Sequence, residues 1–165
     1  MLTGDRGEPA RYIGGDGAPM PFNVGHRAGR IIEVTIEGQV SLSEVRLFHT
    51  LLQAVLGRIT EEHGLAVSWA DLRRADAFPP DVAAQILALL IQDNPRLERC
   101  AYIVGGNENV AFVAQLEQLV VEAASTRGWH PTRQTFRDPL AGAAWLKETL
   151  SEPLERARID ALAAG

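Results

Sequence analysis

Apolar and polar residues along this chain follow a pattern that repeats between residues 30 and 150. A short, β-branched run is followed, four times, by a longer stretch with apolar residues at helical spacing. The four runs begin near Ile31, Leu65, Cys100 and Arg133. Strands that alternate with helices are typical of an α/β domain on a mainly parallel sheet. The pattern therefore predicts one such sheet, of four or five strands.

The first run, Arg30 to Glu37, has the clearest strand period. Ile32, Val34 and Ile36 fall on one side, and the residues between them, which are polar, fall on the other. Strict alternation predicts a strand with one packed face and one wetter face.

Capping residues mark where four helices begin. Ser41 starts a capping-box pattern, and a Pro-Pro-Asp sequence fits a first helical turn at Pro80. Asn107 or Asn109 caps the third helix, and Asp138 caps the fourth. Right-handed crossovers between parallel strands predict that these helices cover chiefly one face of the sheet. The residues expected to be mostly buried are Phe48, Val67, Leu90, Leu116 and Leu146.

Composition divides the chain into three parts. Residues 1–29 hold seven glycines and three prolines, which predicts a flexible or loosely docked N-terminal extension. Within it, five apolar or aromatic residues are compatible with a loose hairpin or with a docked edge strand: Tyr12, Ile13, Met20, Phe22 and Val24. Residues 30–150 carry the α/β pattern, and residues 151–165 form a C-terminal helical tail of weak amphipathicity.

Composition and charge also exclude several classes of protein. The 165 residues, 46% of them hydrophobic, suffice for one domain with its own core. A formal net charge of -5 argues against nucleic-acid binding, which needs a basic patch. We expect neither a signal peptide nor a membrane span, since no run approaches the roughly 20 apolar residues that a span requires. The single cysteine, Cys100, fits a reducing compartment, so we expect a cytoplasmic protein.

The segment Gly105-Gly106-Asn107 is a candidate ligand site, because it joins a predicted strand to a predicted helix. In open parallel sheets, ligands bind beyond the carboxyl ends of strands, and helix N-termini attract anions. The segment lacks the glycine spacing of dinucleotide-binding loops, and Glu108 would repel a phosphate. A plain turn followed by a helix cap is the alternative interpretation.

Three aspartates, Asp71, Asp76 and Asp81, follow the second predicted strand. Clustered carboxylates can perform acid–base chemistry or hold Mg²⁺. However, Arg73 and Arg74 lie between them, and Asp81 is explained as a first-turn charge that complements the helix dipole. The four histidines lack zinc-ligand spacing, and no serine lies in a hydrolase elbow. We therefore predict no catalytic residue, no metal and no cofactor.

The order of these elements, with two local segments, resembles the STAS family. The segments are the third strand, with the sequence CAYIVGG, and the Phe136-Arg137-Asp138 turn with the Ala-Ala-Trp-Leu helix that comes after it. The likeness covers residues 30 to 150 and is closest to the SpoIIAA-like branch of bacterial, anti-sigma-factor-antagonist-like proteins. It implies helices mainly on one face of the sheet, and a binding or signalling module rather than an enzyme.

In phospho-switched members of this family, a serine near the start of the second helix accepts phosphate from a kinase. Here residues 73–80 contain no hydroxyl side chain, and no serine or threonine occurs between Trp69 and Ala124. Our first hypothesis is a non-catalytic module that binds a protein partner through a constant surface at the start of that helix. This surface consists of Asp76, Phe78, Pro79 and Asp81.

Two other hypotheses stay open. The chain could bind a small ligand or a lipid in a pocket between the sheet and the apolar second helix. An enzyme is the third possibility, without a candidate nucleophile–base pair to support it. The sequence leaves the oligomeric state undetermined, with a homodimer among the options.

Overall fold

The strand and helix patterns fold into a single sheet with helices packed against it. The computed structural model describes residues 20–90, 96–105, 109–126 and 132–165. The described residues form five strands and five helices, in agreement with the predicted α/β class. In chain order these are β1 (Phe22–Gly25), β2 (Ile31–Gly38), α1 (Leu42–His63), β3 (Ala66–Ala75), α2 (Pro80–Leu90), β4 (Leu97–Ile103), α3 (Val110–Thr126), β5 (Thr132–Phe136), α4 (Pro139–Lys147) and α5 (Pro153–Ala164).

The sheet has the strand order β1-β2-β3-β4-β5. The strands β2 to β5 run parallel, whereas β1 pairs with β2 in antiparallel fashion, with Phe22 opposite Ile36. The segment is thus an edge strand that forms an antiparallel hairpin with β2, and the side chains of Phe22 and Val24 are buried. Tyr12 and Ile13 lie outside the described residues.

The first helix begins where the capping pattern predicts. The backbone N–H of Glu44 donates to Ser41 Oγ at 3.3 Å, and the N–H of Ser41 donates to the Glu44 carboxylate at 2.7 Å. These reciprocal bonds satisfy two N–H groups that the first turn leaves without a helical partner. Val45, Phe48 and Ile59 then bury one stripe of α1 against the sheet.

Helices lie on both faces of the sheet. Three of them, α1, α2 and α3, share a core with the face that carries Ile32, Val34 and Ile36. The opposite face, with Val67 and Trp69, packs against α4 and α5. The prediction of one chiefly covered face holds for the first three helices and is wrong for the helix that begins after Asp138. The crossover rule constrains a helix only when it connects two parallel strands, and α4 comes after β5, the last strand among the described residues.

The C-terminal helix α5 belongs to this second core, in which Ile159 is buried. Two polar contacts also attach α5 to β2 and to the residue before it. Arg158 makes a two-pronged ion pair with Glu33 of β2, in which its Nε donates to Glu33 Oε2 at 2.8 Å. The buried Glu155 carboxylate accepts the backbone N–H of Arg30 at 2.9 Å. The polar side of β2, expected to be wetter, is thus partly covered by α5.

A glycine makes room for this contact. Gly29 has a φ of 48°, in the left-handed region that favours glycine, and a Cβ there would lie 2.5 Å from the Glu155 carboxylate. Any side chain at this position would therefore displace Glu155.

Four of the five predicted core positions are buried. Phe48, Val67, Leu116 and Leu146 are each at most 3% exposed. The side chain of Leu90 lies outside the described residues. Within the part of the chain that the structure describes, none of the helices has the length and apolarity needed to cross a membrane.

Candidate functional site

The four residues predicted to meet a partner lie on and beside one loop, residues 76–79, which joins β3 to α2. Asp76, Pro79 and Asp81 are exposed, and Phe78 is half-buried. The backbone N–H of Asp76 donates to the Gly38 carbonyl at the end of β2 at 2.9 Å. The loop therefore lies at the carboxyl edge of the sheet, where parallel α/β sheets present their ligand-binding loops.

A side chain from outside this loop holds it in place. Asn109, directly before α3, accepts the backbone N–H of Phe78 with its Oδ1 at 3.1 Å. Its Nδ2 donates to the carbonyl of Ala75 at 3.1 Å and to that of Asp76 at 2.9 Å. The Asn109 carbonyl also accepts the Val113 N–H at 2.9 Å, which is the first backbone bond of α3. Asn109 thus occupies the position before the first turn of α3, as one of the two predicted capping residues, but its side chain bonds the loop and not the helix. Asn107 lies outside the described residues.

The ring of Phe78 packs against α3 as well. It meets the ring of Phe112 edge-on, with centroids 4.9 Å apart and planes at 74°. Edge-to-face pairs of this kind are favourable because the positive ring edge meets the negative ring face. Phe78 is therefore anchored on α3 and is half-buried.

The three aspartates predicted as a carboxylate cluster, Asp71, Asp76 and Asp81, have different surroundings. Asp71 accepts hydrogen bonds from Arg73 at 3.0 Å from Nε and 2.7 Å from Nη2, and this bonding raises the pKa of the guanidinium further. Asp76 and Asp81 lie on the surface, and Asp81 accepts the Val82 N–H at 2.9 Å. Among the described residues, no three histidine, cysteine or acidic side chains form a group that could hold a metal ion.

The candidate ligand segment is only partly described. Gly105 lies beside β3, where an added Cβ would approach Arg73 Cγ to 3.3 Å. Gly106 and Asn107 lie outside the described residues. The segment therefore begins next to Arg73, whose guanidinium is bonded to Asp71.

A buried polar cluster lies on the sheet face under α1 and α2, and sequence reasoning did not identify it. The register places Ser68 opposite Cys100, and Cys100 opposite Arg133, across three neighbouring strands. Tyr102, two residues beyond Cys100, shares their face because side chains alternate along a strand. We call these four residues the Arg133 cluster; each is at most 8% exposed.

Electrostatic interactions connect the Arg133 cluster. The Tyr102 hydroxyl interacts with Arg133 and with Cys100, and the Cys100 thiol interacts with Ser68. Burial raises the pKa of Tyr102 well above its ordinary value, and burial also raises the pKa of the Cys100 thiol against the opposing effects of Ser68 and Arg133. Both groups therefore stay protonated at neutral pH, which leaves Arg133 as the charged member.

A cavity of about 30 Å³ adjoins the cluster. By the volume that one buried water requires, this is room for about two water-sized groups. The lining residues include all four members of the cluster and Gln53 of α1. The remaining lining residues are apolar: Ile32, Val34, Phe48, Leu52, Ala70, Leu89 and Leu97.

The comparisons with known proteins support the fold and leave the function open. No protein-family model matches the chain, and no curated protein matches it. Among solved structures it is similar to an uncharacterized protein of the DUF3478 family from Shewanella loihica PV-4, described as having a SpoIIAA-like fold. The identity is 18% and the TM-score 0.50, over 76% of this chain and 93% of that one. The chain has a SpoIIAA-like fold, and the resemblance seen in its sequence is confirmed at that level.

Proposed function

We propose that this protein is a non-catalytic, cytoplasmic STAS-like module that binds a protein partner through the loop between β3 and α2. The observation that carries the proposal is the anchoring of this loop by Asn109, whose side chain makes three hydrogen bonds to it. A loop that is ordered before binding loses little conformational entropy on binding. This arrangement favours recognition of a preformed surface.

The chemistry of the loop suits a protein interface. Phe78 offers a half-buried aromatic ring, and the exposed carboxylates Asp76 and Asp81 lie two positions before it and three positions after it in the chain. Aromatic anchors surrounded by polar residues are typical of interface hot spots. A partner with an apolar recess bordered by basic side chains would complement this surface.

The surface carries a constant charge. Phosphoryl transfer to an alcohol needs a hydroxyl, and the segment between residues 69 and 124 offers it only on Tyr102, which is fully buried. Asp76 and Asp81 supply negative charge permanently, where phospho-switched relatives add it reversibly. The module therefore binds without a serine switch at this position, and its occupancy depends on the concentration of the partner.

Site-specific photo-crosslinking in the native host tests the proposal. A photoreactive phenylalanine analogue is placed at Phe78 and, as a control, at Leu154, an exposed apolar residue of α5 on the opposite side of the sheet. The proposal predicts one dominant protein adduct from position 78 that position 154 does not form. Identical adducts from both positions, or none from position 78, would contradict it.

A second candidate function is supported by a separate observation, the cavity beside the Arg133 cluster. It lies between the sheet, α1 and α2, as the alternative of a small-ligand pocket requires, and Leu89 of α2 forms part of its wall. Under this alternative the protein binds a small molecule there. Ligand-dependent changes in the melting temperature of the purified protein test it, and binding of no small molecule would count against it.

A further inference from the structure

Two histidines that are far apart in the sequence lie side by side at the amino edge of the sheet. His26 follows β1, which runs antiparallel to β2, and His63 is the last residue of α1, before β3 begins. Their ring centroids are 6.2 Å apart, with the ring planes at 72°. Both residues are exposed. The spacing of histidines along the chain does not reveal this pair, because the fold brings its members together.

A hydrogen bond determines which ring nitrogen of His26 is available to a ligand. Its Nε2 is hydrogen-bonded to the carbonyl of Gly29. Since a carbonyl only accepts, Nε2 is the donor, and the neutral ring therefore carries its lone pair on Nδ1. A histidine that binds a metal commonly donates its other ring N–H to a carbonyl or a carboxylate, which holds the ring in the required tautomer. His26 has this arrangement through Gly29.

His63 lies beside a carboxylate. Its Nε2 is 3.5 Å from Glu62 Oε2, which again favours Nδ1 as the nitrogen that binds a metal. His63 also belongs to the last turn of α1, where the helix dipole places partial negative charge. The carboxylate and the dipole both attract a cation to this position.

We propose that His26 and His63 bind one divalent transition-metal ion through their Nδ1 atoms. Two imidazoles that share such an ion have ring centroids about 4.5–6.5 Å apart, because each bond from nitrogen to the metal is about 2.0–2.1 Å long. The observed separation of 6.2 Å lies within this range. Among the described residues, no three histidine, cysteine or acidic side chains form a metal-holding group, so water completes the coordination. Imidazole ligands select copper, nickel and zinc over magnesium and calcium.

The bound ion joins the end of β1 to the end of α1, and thereby stabilises the docking of the edge strand. A ligand that binds the folded protein in preference to the unfolded chain raises the free energy of unfolding as its concentration rises. The site lies at the edge of the sheet opposite the loop between β3 and α2. The inference therefore does not depend on the proposed function of that loop.

Isothermal titration calorimetry of the full chain tests the proposal with the chlorides of Cu²⁺, Ni²⁺, Zn²⁺ and Mg²⁺. We expect one tightly bound ion per chain, with Cu²⁺ bound more tightly than Ni²⁺ or Zn²⁺. Mg²⁺ should not bind, because its preferred ligands are oxygen atoms. Binding of Mg²⁺ as tight as that of Zn²⁺ would contradict a histidine site, and an absence of binding by all four ions would overturn the proposal.

Substitutions show whether the two histidines share the ion. His26→Gln and His63→Gln should each weaken Cu²⁺ binding by about tenfold or more, since each removes one of two protein ligands. His49→Gln, the matched control, replaces a half-buried histidine of α1 and should bind like the native protein. Circular dichroism confirms that each variant is folded.

Two results with these variants would overturn the proposal. Full affinity for an ion in either His26→Gln or His63→Gln would show that the two histidines do not share it. An equal loss in His49→Gln would show adventitious binding to histidines in general.

The expected stabilisation has its own test in urea denaturation. Zn²⁺ should raise the free energy of unfolding of the native protein and should not raise that of His63→Gln. Equal stabilisation of the two proteins would show that the ion acts elsewhere, and would contradict the proposal.

The ¹⁵N resonances of the histidine rings in the native protein give a measurement that needs no variant. Zn²⁺, which is diamagnetic, should shift the Nδ1 signals of His26 and His63 together and leave those of His49 unmoved. Shifts confined to other histidines, or to only one member of the pair, would overturn the proposal.

Discussion

The Asn109 side chain accepts the backbone N–H of Phe78 at 3.1 Å, and this bond joins the start of α3 to the loop that precedes α2. The two residues are 31 positions apart in the chain. Because the same amide also donates to two carbonyls of the loop, its position determines how Phe78 is presented. The conformation of the loop therefore depends on a contact with a distant part of the chain, and not on neighbouring residues alone.

Asn109→Ala should destabilise the protein by about 1–3 kcal/mol, because it leaves one N–H and two carbonyls without their partners. Urea denaturation measures this loss, and faster hydrogen exchange of the Phe78 amide should accompany it. Asn109→Asp is the matched control, because it keeps an acceptor for Phe78 and loses the two donated bonds. An unchanged Phe78 exchange rate in Asn109→Ala would show that the side chain does not hold the loop.

The attachment of α5 leads to a second prediction. Arg158→Met removes the ion pair to Glu33, whose side chain is only 11% exposed, and should cost about 1.5–3 kcal/mol by the value of hydrogen bonds to charged groups. Arg74→Met removes the ion pair between Arg74 and Glu37, whose side chains are 73% and 54% exposed, respectively. This substitution should lower the free energy of unfolding by at most about 1 kcal/mol. Denaturation curves that rank these two variants in the opposite order would contradict the assignment of α5 to the core.

Alkaline pH should destabilise the protein through the Arg133 cluster. In the folded state burial raises the pKa of Tyr102 and of Cys100, so both groups keep their protons while the unfolded chain loses them. The stabilisation is fully present below the unfolded pKa values, about 8.5 for cysteine and about 10 for tyrosine, and is lost as pH rises above them.

The free energy of unfolding, measured by urea denaturation from neutral pH upward, should therefore fall above about pH 9. Tyr102→Phe should reduce the slope in this range, since phenylalanine cannot ionise. A free energy of unfolding that stays constant with pH in the native protein would show that these groups do not titrate differently on folding.

The parts of the fold that depend on local residues could be predicted from the sequence. The capping box at Ser41 involves residues three apart, and the alternation in β2 is a property of consecutive side chains. The face covered by α4 is not fixed in this way, because among the described residues α4 does not lead to another parallel strand, so the crossover rule does not constrain it. Its placement on the second core therefore needed the structure.

The same distinction, between residues close in sequence and residues brought together by the fold, applies to the candidate sites. Asp76, Phe78 and Asp81 are neighbours in sequence, so their proximity could be predicted. The Arg133 cluster could not, because it requires the register that places Cys100 between Ser68 and Arg133. Arg133 alone, in a short polar strand, has the sequence character of a surface residue. The three bonds from Asn109 to the loop were missed for the same reason, as they connect residues more than 30 apart.

The most direct test of the central claim is the dissociation constant of the crosslinked partner for three forms of the protein: native, Phe78→Ala and Leu154→Ala. The account predicts that Phe78→Ala, with its fold confirmed by circular dichroism, binds about tenfold or more weakly, as expected for a hot-spot residue. Leu154→Ala should bind like the native protein. Equal affinity of Phe78→Ala and the native protein would contradict the assignment of this loop as the binding surface.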